Sequence, residues 1–245
     1  MKILLAPSET KKIGGNGKFN LNSLFLSDIN KSRELLIKEY LNIVLNADLK
    51  TLSKMFGLKK ENDIRKHIKD ITKEPTLKAI QRYTGVAFDY LNYDSLKEHS
   101  KKYLDNNLLI FSNLFGIVKA NDLIPNYRLK QGEMVTDIRV EKHFNKVLKE
   151  PLDNYLKNED ILDLRAKYYE KFYKPNKKYT TLKFLKDTKV VSHWAKAYRG
   201  MILRECAVNR IKSIDDFLRL DFKTLEVKEI IEKKAYNEII YNIIE

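Results

Sequence analysis

Residues 106–129, NNLLIFSNLFGIVKANDLIPNYRL, constrain the fold of this chain more than any other stretch. The apolar residues at 108–111 are followed by the breakers Ser112, Asn113 and Gly116, which predicts a buried strand. Asn121 and Asp122 then predict a short helical turn, stopped by Pro125. Tyr127 and Arg128 close the stretch, an aromatic ring beside a guanidinium that stays charged. The apolar half reads as core. The polar half is the functional candidate, because loops held by a rigid strand are where binding groups collect.

Strands alternate with helices around this segment. Residues 2–6 read as a buried strand leading into the polar loop Pro7-Ser8-Glu9-Thr10-Lys11-Lys12, and 161–164, 180–185 and 189–193 read as further strands. Loops after strands line clefts in α/β folds, so Ser8 and Glu9 are candidate cleft residues. Gly14-Gly15-Asn16-Gly17-Lys18 has the look of a phosphate loop. It fails the spacing, with Lys12 where the first Gly belongs and Phe19 where the hydroxyl belongs, and a flexible turn is expected instead. Helical patterning covers 21–45, with Asn30 or Ser32 as a cap. Asp94 is expected to cap a helix running to 103. Residues 132–135 extend the strand of the first stretch, and an amphipathic helix is expected over 136–149, interrupted at Pro151 and resumed to 157. The segment 225–245 fits either a helix or two strands turning near Lys233-Lys234. This alternation predicts one α/β domain over residues 1–245, a mixed sheet flanked by helices, with a helical hairpin inserted at 45–71.

That hairpin carries the first nucleic-acid signal. Asp48 can cap one short helix, Gly57 can make the bend, and a second helix begins near Lys60, with Lys54, Lys59, Lys60 and Arg65 around it. In a helix-hairpin-helix the turn amides and the next helix's N-terminal end face one phosphate. The bland alternative is an αα-hairpin with a solvated basic rim. The formal charge of +14, from 47 Lys+Arg against 33 Asp+Glu, suits a polyanion: nucleic acid first, an acidic membrane surface second.

Residues 195–210, AKAYRGMILRECAVNR, form the most informative helix. Lys196, Arg199 and Arg210 project within roughly a 60° arc, and Tyr198, Ile202 and Cys206 share a neighbouring apolar arc. The basic arc is either a phosphate-facing stripe or a solvated one. Gly200 in mid-helix costs about 1 kcal/mol relative to Ala, which implies a close approach by a neighbouring segment or partner.

Other chemistries find little support. The single Cys206 excludes a disulfide framework and a Cys-built metal site, and the four histidines have no metal-ligand spacing. No metal or cofactor is expected. The N-terminal apolar run is too short for a signal peptide, and no stretch approaches a membrane span, so a cytoplasmic chain with no membrane partner is expected.

Several short motifs in order carry a resemblance. ILLAPSET at the start, Tyr83-Thr84-Gly85, LFGIVKANDLIPNYRL, Asp163-Leu164 with Tyr169 and Lys171, and AKAYRG together resemble the YaaA peroxide-stress family of bacteria over nearly the whole length. The resemblance implies an unusual α/β fold with a positively charged cleft and a helix-hairpin-helix. It also implies DNA binding, and protection under hydrogen peroxide by keeping unincorporated iron low. The chain departs from the family at Ala166-Lys167-Tyr168-Tyr169, where relatives often carry Ser–x–Glu–Tyr. It also lacks a Trp near residue 143, and it has Ala6-Pro7-Ser8-Glu9 where relatives open with Ser-Pro-Ala-Lys.

Two functions are therefore weighed, beside a scaffold whose charge serves only solubility. In the first, Lys54, Gly57, Lys59, Lys60 and Arg65 of the hairpin, with Arg128, Lys196, Arg199 and Arg210 of the cleft, hold the DNA backbone without reading sequence. The iron effect then runs through DNA rather than through sequestration. In the second, an enzyme acts on a small anionic or nucleotide-like substrate in a pocket lined by Ser8, Glu9, Tyr83, Thr84, Lys167, Arg128 and Arg199. No nucleophile–base pair is visible in the sequence, and the binding protein is the expectation.

Overall fold

The computed structural model describes residues 1–186 and 189–244. Its centre is a mainly parallel mixed sheet built from β1 (Lys2–Leu5), β3 (Leu108–Ser112), β4 (Gly116–Lys119), β8 (Ile161–Asp163), β9 (Tyr179–Lys186), β10 (Lys189–Val190), β11 (Leu225–Glu232) and β12 (Tyr236–Ile243). The order is β11-β12-β9-β8-β1-β3-β4, with β10 paired to β9. Strands β12, β9, β8, β1 and β3 run parallel, and β4 and β11 are antiparallel edges. Two small ribbons stand apart: β2 (Thr76–Lys78) with β5 (Leu123–Pro125), and β6 (Met134–Val135) with β7 (Ile138–Arg139). Helices α1 (Asn30–Asn46), α2 (Leu49–Phe56), α3 (Glu61–Arg65), α4 (Ala79–Arg82), α5 (Val86–Leu91), α6 (Glu98–Asn107), α7 (Val140–Leu156), α8 (Ser192–Asn209) and α9 (Ile214–Leu218) flank these strands. The expected α/β class with a mixed sheet is what the chain adopts.

Strand β3 is buried at all five positions because β1 and β4 cover its edges and helices its faces. The expected helical turn after Asn121-Asp122 is instead a β-turn followed by β5. The carboxylate of Asp122 accepts the amides of Lys119 at 2.9 Å and Phe25 at 3.0 Å, which closes the turn between β4 and β5. An Asp before an apolar pair serves a helix cap or a turn equally well, and the pairing of β5 with β2 decides between them.

Other boundaries move for similar reasons. Residues 21–29 form two 3-10 turns before α1, and a 3-10 turn at Tyr93–Ser95 precedes α6, which starts at Glu98 rather than at an Asp94 cap. Residues 134–139 make the β6–β7 ribbon, so α7 begins at Val140. Pro151 lies inside α7 without ending it. The proline costs about 3 kcal/mol, but Phe144, Leu148, Leu152 and Leu156 bury one stripe across it, at roughly 1.5–3 kcal/mol each. The strand expected over 189–193 stops at Val190, and α8 takes over from Ser192. The C-terminal strand pair is present, with β12 joined in parallel to β9.

Helix α8 buries Tyr198, Ile202 and Cys206, as its pattern predicts. Gly200 is required by packing: a Cβ there would lie 2.1 Å from the carbonyl oxygen of Ala87 in α5. Among the described residues no helix is long and apolar enough to cross a membrane.

Candidate functional site

The carboxyl ends of β1 and β3 bring the sequence motifs together. Thr10, in the loop after β1, accepts the Thr84 amide on its carbonyl and donates its hydroxyl to the Thr84 carbonyl, both at 3.1 Å. The Ser8 and Thr10 hydroxyls lie 3.0 Å apart. Tyr83 and Tyr127 share a hydrogen bond between hydroxyls at 3.0 Å, and Ser112 at the end of β3 meets the Tyr127 hydroxyl at 2.8 Å. Tyr169 donates to Asn113, whose amide reaches the Leu129 carbonyl. Burial raises the pKa values of both Tyr83 and Tyr127, so these hydroxyls stay protonated structural links.

Glu9 and Arg128 meet at the mouth of this network. Arg128 Nη2 lies 3.2 Å from Glu9 Oε2, Nη1 donates to the Glu9 carbonyl, and Nε donates to the Phe56 carbonyl at 2.8 Å. Glu9 Oε1 also accepts the Gln131 amide. The Arg128 side chain is 11% exposed. Arg128 is thus a brace between the loop after β1 and the end of α2, with its fork already engaged, and not an open phosphate clamp.

Beside it lies a cleft of about 340 Å³ lined by Glu9, Thr10, Lys11, Ile13, Lys66, His67, Lys69, Asn126 and Arg128. Lys11 Nζ donates to the Ser8 carbonyl at 3.1 Å and sits 4.0 Å from the Tyr127 ring centroid. Burial, then the charge of Arg128, lower the Lys11 pKa well below the usual lysine range, with Glu9 opposing. The ring face and the carbonyls also favour the ammonium form. His67 is pushed down to about 4, first by burial and then by Arg128 and Lys11, so its imidazole is neutral at pH 7. Lys66 pairs with Asp63 at 2.7 Å and Lys69 pairs with Glu74. Sequence reasoning missed Lys11, Lys66, His67, Lys69 and Asn126. Lys11, two residues past Glu9 in the loop after β1, and Asn126, two before Arg128 in the polar half of 106–129, carried a positional signal.

The hairpin forms around Gly57, but not with free turn amides. Asp48 caps α2 through the Thr51 amide at 2.7 Å, and Gly57 ends it at φ +65°. The Gly57 amide bonds the Lys54 carbonyl and the Leu58 amide bonds that of Ser53, so both serve the end of α2. Helix α3 has five residues, with Glu61 and Asp63 in its first turn, a poor place for a phosphate. The phosphate-facing turn expected from a helix-hairpin-helix is therefore replaced by a capped bend with a basic rim. Lys54, Lys59 and Lys60 are exposed on that rim and, among the described residues, pair with no carboxylate. Arg65 pairs with Glu61 at 2.6 Å.

The remaining candidates are dispersed. Arg199 is half-buried; burial lowers its pKa while Asp163 at the end of β8 pulls it back up. Lys196 is exposed on α8, and Lys167 is exposed on the 3-10 turn Lys167–Lys171. Arg210 caps the far end of α8, 14 residues or about 21 Å beyond Lys196. It lies beside Met1, His99 and Lys102, at the amino end of β1, so it is not part of the cleft. Helix phase groups these basic residues, and helix length separates them.

Residues 1–230 match the family described as Peroxide stress protein YaaA. The Campylobacter jejuni protein Cj0984 is 44% identical over 246 aligned positions, covering 100% of both chains. The Corynebacterium glutamicum UPF0246 protein Cgl1995/cg2186 is 31% identical over 222 positions, covering 85% of this chain and 86% of its own. UPF0246 protein FN1762 of Fusobacterium nucleatum is 28% identical over 249 positions, covering 96% and 97%.

Proposed function

This chain belongs to the YaaA peroxide stress family, and on that footing we propose that it holds nucleic-acid backbone without reading sequence, as its part in resistance to hydrogen peroxide. The observation that carries the proposal is the rim of α2 and α3, where Lys54, Lys59 and Lys60 stand exposed without a carboxylate partner among the described residues. A cation neutralised by a neighbouring carboxylate gains little from a phosphate; an unpaired one releases counterions on contact. The rim is also tied to the site. The Lys130 amide donates to the Met55 carbonyl at 2.9 Å, and Arg128 holds the Phe56 carbonyl. Contact is through lysine side chains, since the Gly57 and Leu58 amides are engaged. Short helices without a base-reading face leave sequence unread. Protection of DNA, rather than storage of iron, is the link to iron damage in this account.

The test is fluorescence anisotropy with two duplexes of equal length and scrambled sequence, on the wild type and on a Lys54→Gln, Lys59→Gln, Lys60→Gln variant. Equal binding to both duplexes and weakening in the variant are expected. A strong preference for one duplex overturns the proposal. A second reading, a small anionic ligand in the Glu9–Arg128 cleft, is favoured by Lys11 and Asn126.

A further inference from the structure

The cleft beside Arg128 contains polar atoms that the fold does not use. Asn126 is 6% exposed, and its Oδ1 is buried with no hydrogen-bond partner among the described residues. His67 Nδ1, lining the same cleft, is buried and unpartnered as well. A buried acceptor left unmade costs about 1–3 kcal/mol, so its retention at a cleft wall points to a partner from outside the chain. The cations divide into two kinds. Arg128, Lys66 and Lys69 each have a carboxylate, while Lys11 bonds only to main-chain carbonyls among the described residues. At about 340 Å³ the space exceeds what a bare phosphate needs and falls in the range of small-molecule sites. It opens beside the loop after β1, where ligands of parallel sheets bind.

We infer that this cleft binds a single nucleotide unit, its phosphate drawn by Lys11 and a base or sugar donor received by Asn126 Oδ1. The phosphate gives Lys11 a directly bonded anion, where the fold gives it only the Ser8 and Glu9 carbonyls. The amino, imino or hydroxyl donor of the nucleoside satisfies the orphaned carboxamide oxygen, which a phosphate alone cannot do. The same chemistry is offered by a free nucleoside monophosphate and by an unpaired terminal nucleotide of a strand. The inference goes beyond the backbone reading and does not depend on the lysine rim.

The test is isothermal titration of the full chain with AMP, GMP, CMP, TMP and inorganic phosphate, and with a 5′-phosphorylated duplex carrying a one-nucleotide overhang against its blunt counterpart. At least one monophosphate, or the overhang relative to the blunt end, should bind about tenfold or more tightly than inorganic phosphate. Which of the two does so identifies the source. Asn126→Leu, which replaces the orphaned amide by an apolar group of like size, should abolish that advantage while leaving phosphate affinity and melting temperature no lower. Lys11→Gln, which keeps a donor for the Ser8 carbonyl and loses the charge, should weaken nucleotide and phosphate together. Equal affinity for phosphate and every nucleotide, no binding at millimolar concentration, or full nucleotide affinity in Asn126→Leu would overturn the inference. Blunt-duplex binding by the Lys54, Lys59 and Lys60 variant reports separately on the backbone reading.

Discussion

Arg128 reaches back 119 residues to Glu9, with Nη2 3.2 Å from the carboxylate and Nη1 3.0 Å from the same residue's carbonyl. With Nε on the Phe56 carbonyl, one guanidinium joins the loop after β1, the segment after β5 and the end of α2. The rim that carries the proposed backbone contacts is held to the sheet by this brace.

Arg128→Lys therefore keeps the charge and loses the fork. An ammonium cannot satisfy three acceptors in these directions, so the variant should lose about 2 kcal/mol. For a chain of this size that lowers the melting temperature by roughly 4–8 °C in a thermal unfolding scan. An unchanged melting temperature would mean the three contacts are not maintained in solution.

Gly200→Ala places a methyl 2.1 Å from the Ala87 carbonyl oxygen, a backbone atom that moves only with α5. Destabilisation by about 2–3 kcal/mol is expected in denaturant unfolding, against the gain that Ala brings to an open helix. A stabilised variant would show that α5 and α8 do not pack this closely.

The close packing at Gly200 was legible in the sequence, because a mid-helix glycine has a cost that something must offset. So were β1, β3 and β8, the buried stripe of α8, the Asp48 cap and the bend at Gly57, all set by local pattern. The Glu9–Arg128 pair was not, although both residues drew notice singly; only the parallel pairing of β1 with β3 brings their loops together. Lys69 looks like any lysine in a chain with 47 Lys and Arg. Asp122 carried a true signal with two structural meanings. The grouping of Arg210 with Arg199 failed because angular phase says nothing about distance along a helix.

His67 gives a pH dependence with a definite sign. Its folded pKa of about 4 lies below the usual 6.5, set by burial and then by Arg128, Lys11 and Lys69, with Asp63 opposing. Between those values the unfolded chain binds a proton that the folded chain does not, so stability is full above pH 6.5 and falls as pH drops toward 4. Melting curves across that window should decline more steeply for the wild type than for His67→Gln. Parallel curves would refute a buried neutral imidazole.

Gly57→Val separates the bend from the rim. At φ +65° a β-branched residue costs roughly 1–2 kcal/mol, while the Lys130 side chain that its Cβ would meet is flexible enough to yield. Stability should fall by that amount. Duplex affinity, measured well below the melting temperature, should change less than in the Lys54, Lys59 and Lys60 variant. A larger loss of binding in Gly57→Val would return the phosphate contact to the turn backbone.

Backbone binding by the lysine rim is tested most directly by the salt dependence of duplex affinity. Each phosphate neutralised contributes about 0.9 to the slope of log K against log salt. Replacing Lys54, Lys59 and Lys60 together by Gln should flatten that slope by about 2–3 units, with the fold unchanged by circular dichroism. An identical slope in the wild type and the triple variant, at whatever affinity, would contradict the account.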